Sequence, residues 1–176
     1  MSPTQQWQQW QRLVLDTNTV MAVWHFADPR LAALARHLAD PRCVLVTRDD
    51  ALEELRHVLA YRQFGIAPAR QQELLAHYTA RCIRLEPPAS EAEAGAADDT
   101  QDTQDTNIAP LPLCRDADDQ KFLEIARDGA VACLVSRDRM LLRLNRHRLV
   151  RPLFRIMSPE QLCAELMRTP APASEH

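Results

Sequence analysis

Five short, mostly apolar runs recur along the chain, and each is bounded by polar residues. They lie at 13–15, 43–47, 83–86, 130–136 and 153–157. Apolar runs of this length, without a polar residue at every second position, are typical of strands buried on both faces of a sheet. The pattern therefore predicts five strands in the interior of the protein.

Amphipathic segments separate these runs. In DPRLAALARHLAD the residues Leu31, Leu34 and Leu38 recur at helical spacing, and Asp28 is a suitable N-cap. The other segments with helical character are NTVMAVWHF, DDALEELRHVLAY, APARQQELLAHYTARC, DADDQKFLEIARDG, DRMLLRLNRH and SPEQLCAELM. Gly129 is expected to end the helix that begins in DADDQ. Helices that alternate with buried strands favour an α/β fold, here a three-layer α/β/α sandwich around a mostly parallel sheet.

Residues 87–110 break this alternation. They are rich in Pro, Ala, Asp and Thr, contain an imperfect DTQ repeat, and show no apolar period. Such a composition offers little surface to bury, so we expect a mobile acidic insertion. The predicted organisation is an N-terminal extension at 1–11, a single domain over 12–168 that carries this insertion, and a tail at 169–176.

The length of 176 residues suits one domain with a sizeable core. No apolar run approaches the ~20 residues that span a bilayer, and the N-terminus has no secretion-signal pattern. Five widely spaced cysteines without a CxxC pair favour reduced, mostly buried thiols. These observations predict a cytoplasmic protein without membrane contact.

Charge is distributed unevenly. The formal net charge is −3, but seven acids and no base lie between Arg84 and Arg115, and the rest of the chain carries 21 bases against 17 acids. Seven arginines fall within 137–155, against the single acid Asp138. Arginine matches phosphate geometry well, so this concentration is compatible with a nucleic-acid partner. The alternative is an ordinary solvated surface of an arginine-rich protein.

Acidic residues follow the predicted strands. Asp16 comes directly after the first run, Asp138 follows the fourth, and Glu54 lies in the helix after the second. Asp116, Asp118 and Asp119 stand at the start of another helix. The carboxyl ends of parallel strands share one edge of a sheet, where ligands bind, so these acids are expected to converge there. Each has a structural alternative: Asp16 and Asp138 as N-caps, the aspartates of the third group as first-turn acids, and Glu54 as a solvated helix residue.

Several carboxylates placed together repel each other unless a cation lies between them. Mg²⁺ and Mn²⁺ prefer oxygen ligands and need neither Cys nor His. Such ions lower the pKa of a bound water and neutralise charge at a phosphoryl centre. Metal-free acid–base catalysis by paired aspartates is the alternative, although it requires fewer acids. One or two Mg²⁺ or Mn²⁺ ions are therefore the expected cofactors.

Four segments in this order resemble the PIN-domain family: LVLDTN, EELRHVLAY, CRDADDQKFLEIA and CLVSRDRML. The resemblance covers roughly 12–167 without the insertion, and it is closest to the toxin subgroup of toxin–antitoxin systems, the VapC-like ribonucleases. It implies a metal-dependent ribonuclease with a Rossmann-like α/β/α sandwich. It also implies an RNA substrate, a cognate antitoxin protein and a homodimer.

The resemblance also implies roles for individual residues. By motif, four acids match the catalytic, metal-holding positions: Asp16, Glu54, Asp119 and Asp138. Asp116 matches an additional acid typical of the subgroup, while Asn18 and Ser136 match polar residues that support the site. Glu53 stays open as an alternative to its neighbour Glu54. Ala117 replaces an expected proline without changing the spacing of the acids, and the long acidic insertion is unusual.

Arg139, Arg143 and Arg146 follow Asp138 at intervals of four and three residues, which predicts one basic helix face beside the acids. We expect these three to contact RNA. The alternative is that Arg143 or Arg146 pairs with the acidic insertion or the C-terminal helix. The function predicted overall is an Mg²⁺- or Mn²⁺-dependent endoribonuclease. Its alternatives are a nucleic-acid-binding protein without cleavage and a metal-dependent phosphatase or phosphoryl-transfer domain.

Overall fold

The structure, a computed structural model, describes residues 10–86 and 108–168. Most of the predicted N-terminal extension, most of the insertion and the tail lie outside the described residues. Only the last part of the predicted insertion, 108–110, is included, and it has no regular secondary structure.

The described residues form one five-stranded sheet in which every pairing is parallel. The strands are β1 (Arg12–Leu15), β2 (Val44–Arg48), β3 (Cys82–Leu85), β4 (Cys133–Val135) and β5 (Arg155–Met157). Their order across the sheet is β3-β2-β1-β4-β5. The five predicted strands are thus confirmed, and the sheet is parallel throughout.

The predicted fourth strand is too long at its start. Residues 129–131 still direct their N–H groups back to the preceding helix, for example from Val131 to the carbonyl of Ala126 at 3.1 Å. The predicted fifth strand starts too early for a similar reason, because Leu153 and Phe154 both donate to the carbonyl of Val150. These turns are buried and therefore apolar, so in the sequence they cannot be distinguished from the buried strands that follow them.

Seven α-helices flank the sheet in the described residues. They are α1 (Thr17–Val20), α2 (Ala32–Ala39), α3 (Asp49–Leu59), α4 (Pro68–Ala80), α5 (Gln120–Asp128), α6 (Arg139–Leu144) and α7 (Pro159–Arg168). A π-helical turn, Met21–His25, continues α1, and single 3₁₀ turns at Pro29–Leu31 and Ala117–Asp119 lead into α2 and α5. Asp28 caps the first of these 3₁₀ turns by accepting from the Arg30 N–H at 3.0 Å.

Successive strand residues face opposite layers, which is why the strands are apolar throughout. Leu13 and Leu15 of β1 pack into a core with residues of α1–α4 and α7. Val14, between them, packs into a second core with α5 and α6. The three-layer α/β/α sandwich is therefore confirmed, with a core on each side of the sheet.

Gly129 ends α5 as predicted, but for a different reason. Its φ is −77°, and the left-handed conformation falls instead on Ala130, with φ 45°. A Cβ atom at Gly129 would lie 2.8 Å from the Ile125 carbonyl oxygen and 2.8 Å from Val46 Cγ1. Glycine at this position therefore allows the end of α5 to approach β2 closely.

All five cysteines are free, and Cys43, Cys133 and Cys163 are buried, which agrees with the expectation of reduced and mostly buried thiols. Within residues 10–86 and 108–168, each helix is too short or too polar to cross a bilayer.

Candidate active site

The candidate site lies where the strand order reverses. From β1 the chain builds outward through β2 and β3, and it then returns to place β4 against the other side of β1. The backbone N–H of Asp16 donates to the Val135 carbonyl at 3.0 Å, so the ends of β1 and β4 are joined directly. A crevice at the carboxyl ends of the strands, at such a reversal, is the usual ligand position in open α/β sheets.

Asp16 is buried at this junction, with 4% exposure. Its Oδ2 accepts from the Ser136 hydroxyl at 2.5 Å, and its Oδ1 accepts from the Thr19 N–H at 2.7 Å. Burial raises the pKa of Asp16, and these hydrogen bonds oppose the rise. Asp16 is therefore an N-cap of α1, as the structural alternative proposed, and the same contact holds its carboxylate at the sheet edge.

Thr19 has a role that sequence reasoning missed. It is fully buried, and its hydroxyl donates to the Val135 carbonyl at 3.2 Å while its N–H holds Asp16. The available signal was its position three residues after an N-cap aspartate. Asn18 lies exposed in the same turn, and among the described residues its side chain has no hydrogen-bond partner. A supporting role for Asn18 stays a prediction.

Ser136 connects two of the acids. Its hydroxyl donates to Asp16, and it accepts from the backbone N–H of Asp138 at 2.9 Å. Asp138 in turn caps α6, because its Oδ1 accepts from the N–H groups of Met140 at 2.6 Å and Leu141 at 3.0 Å. This position is compatible with the supporting role that the resemblance implies for Ser136.

Asp119 lies within electrostatic reach of the other predicted acids. Its pKa is raised to about 6, first by burial and then by the negative charges of Asp138, Asp116, Asp16 and Glu54. These five residues are here called the acidic cluster. They come from four separate segments of the chain, and they share one electrostatic environment at the carboxyl edge of the sheet.

The two neighbouring glutamates of α3 have different surroundings. The Glu53 side chain is 52% exposed and pairs on its own helix with Arg56, from Nε to Oε2 at 2.8 Å, and with His57 at 3.3 Å. Glu54 instead faces α5, where its Oε2 lies 2.5 Å from Lys121 Nζ. Its charge also acts on Asp119. This orientation favours Glu54 over Glu53 as the second acid.

Lys121 is the second residue that sequence reasoning missed. It is the only lysine of the chain, it lies two residues after Asp119, and its side chain is only 17% exposed. Its ammonium group neutralises the Glu54 side of the acidic cluster. The available signal was a lone lysine one half-turn beyond the acids of CRDADDQK, on a chain whose other bases are arginine.

The donor set of the acidic cluster fits Mg²⁺ or Mn²⁺ in its chemistry, because every side chain offers carboxylate oxygen. Across the described parts of the chain, however, no three acidic, His or Cys side chains are arranged closely enough to hold an ion. Asp116 and Asp119 border an open cavity together with Asp138 and Arg115. Their side chains would have to close around an ion, whereas Asp16 and Asp138 are already held by their caps.

The three arginines predicted to bind RNA do not share one helix face. Arg139 and Arg143 are exposed on α6, and Arg143 borders a cavity together with Asp116 and Asp119. Helix α6 ends at Leu144, so Arg146 lies beyond it and borders a different cavity. The expectation of one basic helix face is therefore wrong for Arg146. No ion pair joins Arg143 or Arg146 to the described part of α7, and the insertion lies outside the described residues.

A family model described as PIN domain matches residues 12–140, about three quarters of the chain. The chain belongs to the PIN-domain family. PIN domains are generally nucleases, and the matched region contains the whole acidic cluster together with Ser136 and Arg139. No curated protein and no solved structure matches the chain. Membership of the toxin subgroup therefore stays a prediction.

Proposed function

We propose that this PIN domain is a metal-dependent endoribonuclease that hydrolyses phosphodiester bonds in RNA, with Mg²⁺ or Mn²⁺ as its cofactor. The observation that carries the proposal is the acidic cluster: Asp116, Asp119 and Asp138 border one cavity, and burial and then the other four carboxylates raise the pKa of Asp119 to about 6. Negative charge concentrated in this way creates a demand for cations, and the family to which the chain belongs consists generally of nucleases.

The chain's own residues would act by holding and orienting. Asp16, Glu54, Asp119 and Asp138 would hold the ions, with Asp116 as a further ligand or as an orienting group. Ser136 fixes Asp16 by a hydrogen bond of 2.5 Å, so that one carboxylate is preorganised before any ion binds. The bound ions would supply an activated water and neutralise charge at the phosphate.

The resemblance to VapC-like toxins is the basis for three further parts of the proposal. They are a cognate antitoxin protein that covers the site, a homodimeric assembly and a cytoplasmic location.

A cleavage assay tests the proposal. Labelled single-stranded RNA is incubated with the wild-type protein in Mg²⁺, in Mn²⁺ and in chelator, and a small phosphate ester is offered in parallel. We expect cleavage of RNA that requires metal and is lost in Asp16→Asn. The matched control is Asp118→Asn, which changes an exposed aspartate next to Asp119 that caps neither α1 nor α6.

Each rival function predicts a different result. A binding protein without cleavage retains RNA in a filter assay but leaves it intact in every metal. A phosphatase or phosphoryl-transfer domain turns over the small ester better than RNA. Full activity of Asp16→Asn would contradict the assignment of Asp16 to the ion.

A further inference from the structure

Fifteen of the twenty arginines fall into two groups. In the described residues nine arginines form ion pairs with acids, from Arg30 with Asp28 at 2.8 Å to Arg168 with Glu165 at 2.5 Å. None of the six arginines from Arg139 to Arg155 has an acidic partner within residues 10–86 and 108–168. The chain carries no Asp or Glu between Arg139 and Pro159. Within the described residues, no acid therefore compensates the positive charge of this segment.

Three of the six arginines border one concavity, here called the arginine cleft. Arg146, Arg151 and Arg155 line it together with Asn145 and the buried Phe154. None of these is a residue of the acidic cluster or of the cavity beside it.

The cleft is built on an ordered loop. Asn145 accepts from the Ile156 N–H at 2.8 Å through its Oδ1, which ties the end of α6 to β5. The Arg155 guanidinium lies over the ring of the buried Trp10, 5.4 Å from its centroid. Two of the cleft-lining positions are thus held by contacts with the core, so the cleft is more than a set of mobile side chains.

The cleft and the acidic cluster lie toward opposite ends of the same strands. Arg155 begins β5 and pairs with Cys133 at the start of β4, whereas Asp138 follows the end of β4. Cys133 and Asp138 are five positions apart, and at ~3.3 Å per extended residue this is at most roughly 17 Å. Arg139 and Arg143 on α6 lie between the two sites along the chain.

We propose that the arginine cleft binds the phosphate backbone of a single-stranded nucleic acid whose scissile phosphate lies at the acidic cluster. The identity of that strand rests on the proposed function. At ~3.4 Å per stacked nucleotide, roughly 17 Å corresponds to at most about five nucleotides, and to fewer in an extended strand. The guanidinium groups match phosphate oxygens, and contacts to phosphate add affinity without reading the bases. The cleft therefore fixes the position of the strand and leaves sequence preference to other residues.

The test measures binding without cleavage. The background is Asp16→Asn, and the ligand is a fluorescent 12-nucleotide single-stranded RNA titrated across salt concentrations. The test variant adds Arg146→Gln, Arg151→Gln and Arg155→Gln. The control adds the same charge loss at three exposed, ion-paired arginines on other surfaces, Arg42→Gln, Arg70→Gln and Arg168→Gln.

Three lost phosphate contacts at about −0.7 each should flatten the slope of log K against log salt by about 2 in the cleft variant. The control should leave the slope unchanged. Equal slopes for the cleft variant and its background would overturn the proposal.

Two further arms separate the causes of failure. Inorganic phosphate that displaces the 12-mer at concentrations far below those of chloride would identify a site for free phosphate and overturn the assignment to a strand. Metal-dependent cleavage by the protein with an intact Asp16 is scored separately. If the cleft variant shows the flattened slope but the protein with an intact Asp16 cleaves no RNA, the proposed function alone is contradicted. If that protein cleaves RNA but the cleft variant keeps the slope of its background, the cleft alone is contradicted.

Discussion

Replacing Asp119 with Asn is expected to stabilise the metal-free protein at neutral pH. Burial and four neighbouring carboxylates raise the pKa of Asp119 from 3.8 to about 6. No described residue donates a hydrogen bond to its carboxylate that would compensate the charge. An amide keeps the shape of the side chain and removes the repulsion.

The sign and the size follow from linkage. The folded state binds the Asp119 proton more tightly than the unfolded state does. Asp119 therefore lowers the free energy of unfolding as the pH rises from about 4 to about 6. A shift of that size corresponds to at most about 3 kcal/mol at 1.36 kcal/mol per unit. Asp119 is partly exposed, and solvent screening reduces the figure to about 1–2 kcal/mol. For a domain of this size that is roughly 2–8 °C in Tm.

The assay is thermal unfolding in chelator at pH 4 and at pH 8. Asp119→Asn should gain stability over the wild type at pH 8, and the gain should vanish at pH 4, where Asp119 is largely protonated. Asp118→Asn removes the same formal charge from an exposed neighbour and should change Tm little at either pH.

Two results would refute this reasoning. An equal gain at both pH values would show that the amide acts through packing or hydrogen bonding and not through charge. An equal gain in Asp118→Asn would mean that the general negative charge of the segment, and not the acidic cluster, opposes folding.

Three other substitutions test neighbouring features. Glu54→Gln should abolish metal-dependent RNA cleavage in a gel assay while Glu53→Gln stays near the wild-type rate, and the reverse order would place Glu53 in the site. Lys121→Met should tighten Mn²⁺ binding in calorimetry, by up to about tenfold, because it removes the cation that pairs with Glu54; unchanged or weaker binding would contradict this competition. Gly129→Ala should lower the free energy of unfolding by about 1–3 kcal/mol in a denaturant titration, since its Cβ overpacks against β2; a neutral effect would show that α5 can shift.

The sheet could be predicted from the sequence because strands buried on both faces must be apolar at nearly every position. The same constraint drew attention to Asp16, which directly follows β1, and to Asp138, which lies three residues after the end of β4. The sequence left open whether these two aspartates act as N-caps, as metal ligands or as both, because an N-cap and a metal ligand require the same residue type in the same place.

Contacts between distant segments could not be predicted in this way. Lys121 meets Glu54 only because α5 packs beside α3, 67 positions away in the sequence, and no local pattern encodes that pairing. Arg146 continues a helical spacing, yet α6 ends before it, where Asn145 turns its side chain to the backbone of β5. In both cases tertiary structure, which periodicity does not report, decides the outcome.

The solitary lysine has a practical consequence for anyone who handles this protein. Apart from the chain's α-amino group, its only primary amine lies beside the acidic cluster, paired with Glu54. Amine-directed dyes, crosslinkers and resins therefore have one side-chain target, and that target lies beside the proposed catalytic carboxylates. A preparation coupled through lysine would carry its label or tether at the candidate site, and a thiol reagent would meet Cys114, which is free and borders a cavity together with Asp116 and Asp119.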